Sequence, residues 1–256
     1  MNQPDFRRDG AQFLGYDGGP APPVTGEAGM HTSLANLVRE VQTEARPHPE
    51  EVMERFAALA SAYIRGADEA GVLLTSGRRG LRPAEQTDSC PHLIDRLQEE
   101  MLEGPALECA TASQTVRVDD LTADTRWPRF AAAVVAQTPV RSMLSFQLYT
   151  HVQNWGALSL YAHRSRGFDA SAEKLGLILA THAALTLEAV QRTRQFRSAL
   201  GSRDIIGQAK GILMERYDIT PGAAFALLTR LSQESHKPVV VIAKELVDTK
   251  PRAGRS

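Results

Sequence analysis

Apolar side chains recur at three- and four-residue spacing in several separate stretches, and at two-residue spacing in one. Residues 32–46 place Leu34, Leu37, Val38 and Val41 on one helical face, and Pro47 and Pro49 end any helix there. Residues 50–65 repeat the helical spacing with Val52, Phe56, Leu59, Ala60 and Tyr63, then run into an apolar stretch, 70–75, that stops at Ser76-Gly77. That order predicts a helix followed by a strand. Residues 92–102 are again helical in pattern, 115–118 form a short strand candidate, and 129–137 make an alanine-rich helix halted before Pro139. The clearest alternation lies in 142–150 and 157–163, where Leu144, Phe146 and Leu148 answer Leu158 and Leu160 across a bridge at 151–156. These two predict neighbouring antiparallel strands, and the whole span from about 50 to 191 predicts an α+β domain with helices on an antiparallel sheet.

The pattern then becomes wholly helical. Residues 170–200 contain no proline and one glycine, with Leu175, Ile178, Leu185, Ala189, Phe196 and Ala199 on a heptad-like seam. His182 and Arg192 interrupt that seam, so the spacing fits one long coiled-coil helix or two helices meeting near Ser202. Leu179, Ala183 and Val190 lie beside the seam, enough apolar surface to pack on the helix's own sheet as well as on a second copy, which predicts a parallel homodimer. Three helices close the chain: 202–217, 221–234 with Thr220 as N-cap, and 238–247 with Pro238 at the first helical position. Ile205, Ala209, Ile212 and Leu213 face Ala224, Leu228 and Leu231 and Val239, Ile242, Ala243 and Leu246, so each helix buries the others.

Charge divides the chain at the same place. Residues 192–256 hold 12 Lys+Arg against 6 Asp+Glu, net +6, whereas residues 1–191 hold 17 against 24, net −7. A basic end on an acidic protein predicts a polyanionic partner for that end alone. At 100° per residue, Arg203, Gly207, Lys210 and Met214 share one face of the first terminal helix. Gly207 and Gly211 each cost about 1 kcal/mol relative to alanine in a helix interior, so something must approach closely there, either a neighbouring helix or a ligand.

Two resemblances join these observations. Leu107-Glu108, Val116-Arg117-Val118-Asp119-Asp120-Leu121, Arg126-Trp127-Pro128-Arg129-Phe130, Val140-Arg141-Ser142-Met143-Leu144-Ser145 and Gly156-Ala157-Leu158-Ser159-Leu160-Tyr161 together resemble a bacterial GAF domain. That resemblance implies a sensor fold whose loops close over a small-molecule ligand. The string Arg203-Asp204-Ile205-Ile206-Gly207-Gln208-Ala209-Lys210-Gly211-Ile212-Leu213-Met214-Glu215-Arg216-Tyr217, with Ala223-Ala224-Phe225, Leu227-Leu228, Leu231-Ser232-Gln233 and Ile242-Ala243, resembles an ANTAR domain. The ANTAR resemblance implies binding to paired hairpin loops in nascent mRNA, which keeps a terminator from forming. Carried over by position, the RNA contacts are Ala209, Lys210 and Gly211, with Arg203, Arg230, Ser232 and Gln233 secondary; Tyr217 is a stacking or a core residue. Where the family commonly has an Asn-containing turn, this chain has Glu234-Ser235-His236-Lys237-Pro238.

The expected plan is therefore a disordered leader over 1–30, a GAF sensor over 31–191, an ANTAR module over 192–250 and a disordered tail over 251–256. No signal peptide or membrane span is read in the sequence, which predicts a cytoplasmic protein. No GxxxxGK[ST], HExxH, CxxC or GxSxG appears, and the seven histidines lack ligand spacing, so an enzyme, a metal site and a cofactor are not expected. The arrangement that cyclic-nucleotide-binding GAF domains carry is absent as well. Trp127, Phe130, Phe146 and Tyr161 are pocket candidates that in this context default to core. Two alternatives stay open: a GAF-fold reductase using Cys90 and Cys109, and an interaction protein whose basic helices dock an acidic partner.

Overall fold

The computed structural model describes residues 27–75, 81–83, 89–111 and 115–249. Most of the expected leader, the tail at 251–256 and the Ser76-Gly77 stop lie outside the described residues. Residues 27–30, expected in the leader, instead begin a helix, and Met30 is buried in the domain core.

The chain opens with α1 (Glu27–Thr43) and α2 (Pro49–Tyr63), followed by β1 (Glu69–Thr75) and β2 (Leu81–Pro83). Next come α3 (Cys90–Met101), α4 (Pro105–Thr111), β3 (Thr115–Val118) and α5 (Pro128–Gln137). The central hairpin is β4 (Ser142–Tyr149) with β5 (Asn154–Ala162), and the chain finishes with α6 (Ala170–Tyr217), α7 (Pro221–Ser235) and α8 (Val239–Asp248). The strands form one five-stranded sheet in the order β2-β1-β5-β4-β3, each neighbouring pair antiparallel. Strand alternation divides the core in two. Val72, Leu144, Phe146, Leu148, Leu158 and Leu160 face α1, α2 and α6, whereas Leu73, Val116, Val118, Met143 and Tyr161 face α3, α4 and α5. Both faces are covered, and burying each such side chain contributes about 1.5–3 kcal/mol.

Two details depart from the pattern. The bridge between β4 and β5 is shorter than 151–156, because Asn154, Trp155 and Gly156 already belong to β5 and the pairing shifts register at Leu148/Tyr149. Gly156 marks a close approach rather than a turn: at φ 129° it lies where any Cβ would run into the carbonyl of Leu73. The other departure is α4, only 7 residues long and too short for a periodic signal.

The 48 residues of α6 form one unbroken helix, about 72 Å long at 1.5 Å per residue, which resolves the two arrangements in favour of continuity. Asp169 caps it by accepting from the Ala172 N–H at 2.8 Å. Its first half packs on β4 and α2 through Leu179, Ala183, Leu187 and Val190, and Gly176 sits against the Phe146 ring, where a side chain would collide. Leu175, expected on the outer seam, is buried in this same core. Residues 192–200 then leave the domain with every side chain exposed. The helix re-enters a packed environment at its far end, where Ala209 and Leu213 meet Ala224 and Leu228 of α7 and Ala243 of α8. Thr220 caps α7 through the Ala223 N–H at 3.3 Å with Pro221 behind it, while Pro238 is the N-cap of α8, one position earlier than expected.

Candidate nucleic-acid interface

The last four turns of α6 carry the residues that the sequence singles out in the terminal module. Arg203, Gly207, Lys210, Met214 and Tyr217 follow one another at four, three, four and three residues, a single stripe along the helix. Inward of that stripe lies the small core, and Ala209 belongs to it at 0% exposure. The expectation that Ala209 meets RNA is corrected to that extent: its methyl group packs α6 against α7 and α8, leaving no side-chain surface outside. Gly207 and Gly211 behave differently from Gly176 on the same helix. A Cβ at either would meet nothing within 4 Å, so neither glycine serves packing within the chain. They leave the helix backbone open to an incoming group beside Lys210.

Lys210 is half-buried. Neither it nor Arg203 has an ion-pair partner among the described residues, and the same holds for the exposed Arg216 and Lys244. These last two carry exposed charge that the sequence reading does not single out, because an exposed charge on a helix has no periodic signal. Arg230 is engaged with Glu234 at 2.7 Å, an exposed pair that holds the guanidinium proton more firmly than usual. Ser232 is also occupied, its hydroxyl donating to the carbonyl of Lys237 across the α7–α8 turn. Gln233 is exposed and its carbonyl accepts from the His236 N–H at 3.4 Å. His236 has φ 56°, a left-handed conformation that asparagine adopts more readily than most residues. Two aromatics of the module are exposed, Tyr217 at the end of the stripe at 58% and Phe225 on α7 at 46%. Of the two readings of Tyr217, core is excluded.

Inside the sensor, Trp127, Phe130, Phe146 and Tyr161 are all buried as core, and Arg126 lies over the Trp127 ring at 4.2 Å from its centroid. Both thiols are held protonated. Burial pushes Cys109 up to about 12, and burial together with Glu69 pushes Cys90 up to about 11. Thiols in that condition are poor nucleophiles at neutral pH, which weighs against the reductase alternative. Asp95 on α3 is the buried polar group that stands out. Its Oδ1 accepts from the Tyr161 hydroxyl and the Gln98 amide, each at a long 3.4 Å, and desolvation raises the carboxyl to about 7. One helical turn on, Glu99 has a buried Oε1 without any hydrogen-bond partner, and burial raises its carboxyl as well. Among the described residues, no group of His, Cys, Asp and Glu is placed to hold a metal ion, and no helix is long and apolar enough to cross a membrane.

Residues 47–188 match the family model of the GAF domain, and residues 194–247 that of the ANTAR domain. The chain belongs to the GAF–ANTAR family. It is thus a sensor-linked RNA-binding regulator, with a GAF sheet at one end of α6 and an ANTAR module at the other. Among solved structures the chain is similar to a bacteriophytochrome from the photosynthetic bacterium R. palustris, at 14% identity and TM-score 0.51, covering 80% of this chain and 46% of that one. It is also similar to free methionine-R-sulfoxide reductase from Neisseria meningitidis, at 17% identity and TM-score 0.46 over 65% and 92% of the two chains. The GAF domain of an Acinetobacter phosphoenolpyruvate-protein phosphotransferase matches at 12% identity and TM-score 0.46, over 65% and 97%. At these identities the bacteriophytochrome likeness speaks for the GAF fold alone. No curated protein matches the chain.

Proposed function

We propose that this GAF–ANTAR protein is a signal-responsive transcription antiterminator that grips paired hairpin loops in nascent mRNA and so keeps a terminator from forming. The observation that carries the proposal is the stripe Arg203–Gly207–Lys210–Met214–Tyr217, where unpaired cations, an open backbone notch and an exposed aromatic ring lie along one helix face. Loops present splayed bases and a dense phosphate backbone, and this stripe offers a stacking surface and counter-charge together. Lys210 and Gly211 are the central contacts, with Arg203 and Tyr217 flanking. Arg230, Ser232 and Gln233 take part at most from the α7–α8 side, since Arg230 and Ser232 already have partners.

The protein acts as a parallel homodimer in this proposal. Ile178, Leu185 and Phe196 remain exposed on α6, Leu185 at 54% and Phe196 at 66%, and a groove of about 350 Å³ between α1 and α6 is lined by Leu185 and Ala189. Arg197 ties α6 to the α1–α2 loop at that groove by donating to the Ala45 carbonyl. The outer stripe is continuous with the RNA face, because Ile178, Leu185, Ala189, Phe196, Leu200, Arg203, Gly207 and Lys210 follow one helical line. In a parallel pair each residue confronts its own copy, so the apolar upper part zips while Arg203 and Lys210 repel and keep the lower faces apart for RNA. The two modules then reach two loops of one transcript, which raises effective concentration.

Fluorescence anisotropy of the full chain with a two-hairpin RNA tests this. Lys210→Ala should weaken binding roughly three- to tenfold and lower the steepness of the log–log salt dependence by about 0.7–1. Affinity indifferent both to salt and to Lys210→Ala would leave the acidic-protein partner as the better account.

A further inference from the structure

Two sets of positions seven residues apart interleave along the outer face of α6: Ala189, Phe196 and Arg203, and Leu185, Arg192 and Ala199, all exposed. Below the sensor that face stands free. From residue 192 to residue 200 every side chain is exposed, and among the described residues the one hydrogen bond from this stretch to another element is that of Arg197 to the Ala45 carbonyl. The stretch holds Arg192, Arg194 and Arg197 and no acid, so it lacks the oppositely charged neighbours one turn apart that steady a bare helix. With Phe196 and Leu200 uncovered, it has packing to gain from a second helix, which the described residues of its own chain do not supply.

Arg192 is the charge that interrupts the apolar run between Leu185 and Ala199. Glu188, one turn above it and half-buried, is the sole acid of α6 between Glu173 and Asp204. Glu173 is engaged with Arg117 at 3.5 Å, and Asp204 accepts from the Gln208 amide at 3.2 Å. Glu188 and Arg192 each have no ion-pair partner among the described residues, although glutamate one turn before arginine is the favourable order for pairing within a helix. Long side chains on a helix lean toward its N-terminus, so the guanidinium of Arg192 reaches the level of Glu188.

We infer that α6 pairs with a second copy of itself through Glu188 of one chain and Arg192 of the other, two symmetry-related ion pairs that set the register of the seam where it leaves the sensor. The inference rests on the parallel dimer of the proposed function and adds the contact that aligns it. In that dimer Arg192 confronts its own copy, and two guanidinium groups side by side repel unless an anion lies next to each. The partner's Glu188 stands at the right height and is the one acid of this part of the helix available for the purpose. Slipping the helices by one heptad would set Arg192 against Leu185 or Ala199 and leave both kinds of charge unpaired, so the aligned register is preferred. Lys210 lies about 27 Å below Arg192, about five full turns along the helix, so alignment at this point keeps the two RNA faces level.

Sedimentation equilibrium of the full-length protein at about 0.1 M salt tests the pair. Arg192→Glu and Glu188→Arg should each weaken the homodimer about two- to thirtyfold, the range for two exposed ion pairs. Mixing the two variants should give a heterodimer tighter than either variant homodimer, because opposite charges then face each other across the chains. Both changes in one chain should restore the parent affinity. Circular dichroism checks that each variant folds. Ala199→Cys gives an independent reading: in the aligned parallel dimer it faces its own copy at disulfide distance and should crosslink on oxidation. The parent chain, with Cys109 buried and Cys90 half-buried, is the blank. A monomeric parent, charge variants that dimerise as the parent does, a heterodimer no tighter than the variant homodimers, or no crosslink at position 199 overturns the inference. RNA affinity is read by anisotropy on the same samples, and binding that still depends on Lys210 would show that the RNA reading survives without the pair.

Discussion

At the scale of the residue, Asp95 shows how burial writes itself into stability. Its carboxyl is raised from 3.8 to about 7 by desolvation, with Glu99 adding to the effect and the Tyr161 hydroxyl opposing it. A raised acid keeps its proton in the folded protein where the unfolded chain has already released it. Between about pH 4 and pH 7 the folded state therefore holds more protons, and stability falls as pH rises through that window. Above it the penalty is complete, at most about 4 kcal/mol for a shift of this size, and Asp95→Asn removes it. Thermal unfolding followed by circular dichroism should find the Asn variant more stable than the parent at pH 8, with the gap closing towards pH 4; a gap independent of pH would mean that Asp95 is already paired. None of this was legible in the sequence, where Asp95 is one acid among several on an amphipathic helix.

At the scale of the element, α6 contains glycines with opposite roles. Gly176 is required by the Phe146 ring pressed against it, whereas Gly207 faces open space. Gly207→Ala should therefore stabilise the terminal module by about 0.5–1 kcal/mol through helix propensity alone, while weakening RNA binding by filling the notch. Urea unfolding and anisotropy on one variant check both halves, and a gain in stability with unchanged RNA affinity would remove Gly207 from the interface. The sequence identified both Gly207 and Gly211 as anomalies of a helix interior. It left helix packing and ligand approach as alternatives, since the choice depends on what lies across from them. Continuity of α6 had the same status: His182 and Arg192 interrupt a seam, yet both are solvent-exposed on one unbroken helix.

At the scale of the whole molecule, the sensor and the RNA-binding module are joined by one continuous helix, so their faces are related by its phase. Inserting one alanine between Arg197 and Gly201 turns the lower stripe by about 100° relative to the upper one, whereas seven alanines restore the phase to within about 20°. In the proposed dimer the single insertion should lower RNA affinity and the seven-residue insertion should largely keep it, as read by anisotropy with the same two-hairpin RNA. Equal effects of both insertions would indicate that α6 is a passive tether. The charge division along the chain supports the direction of this arrangement, since the net +6 of residues 192–256 lies on the RNA side of the linker.

The amino-acid sequence by itself determined most of the helices and strands, though not α4, β2 or the start of α1, together with the antiparallel pairing of β4 with β5 and the GAF–ANTAR assignment. Those properties reside in spacing and local chemistry, which a linear chain records directly. Tertiary structure alone decided that Ala209 is interior and Tyr217 exterior, that Gly207 has no neighbour, and that Asp95 meets Tyr161 inside the sensor. Each of these depends on residues brought together from distant positions or on the absence of any neighbour, and exposure of that kind is a property of packing that no single helix or strand carries within it.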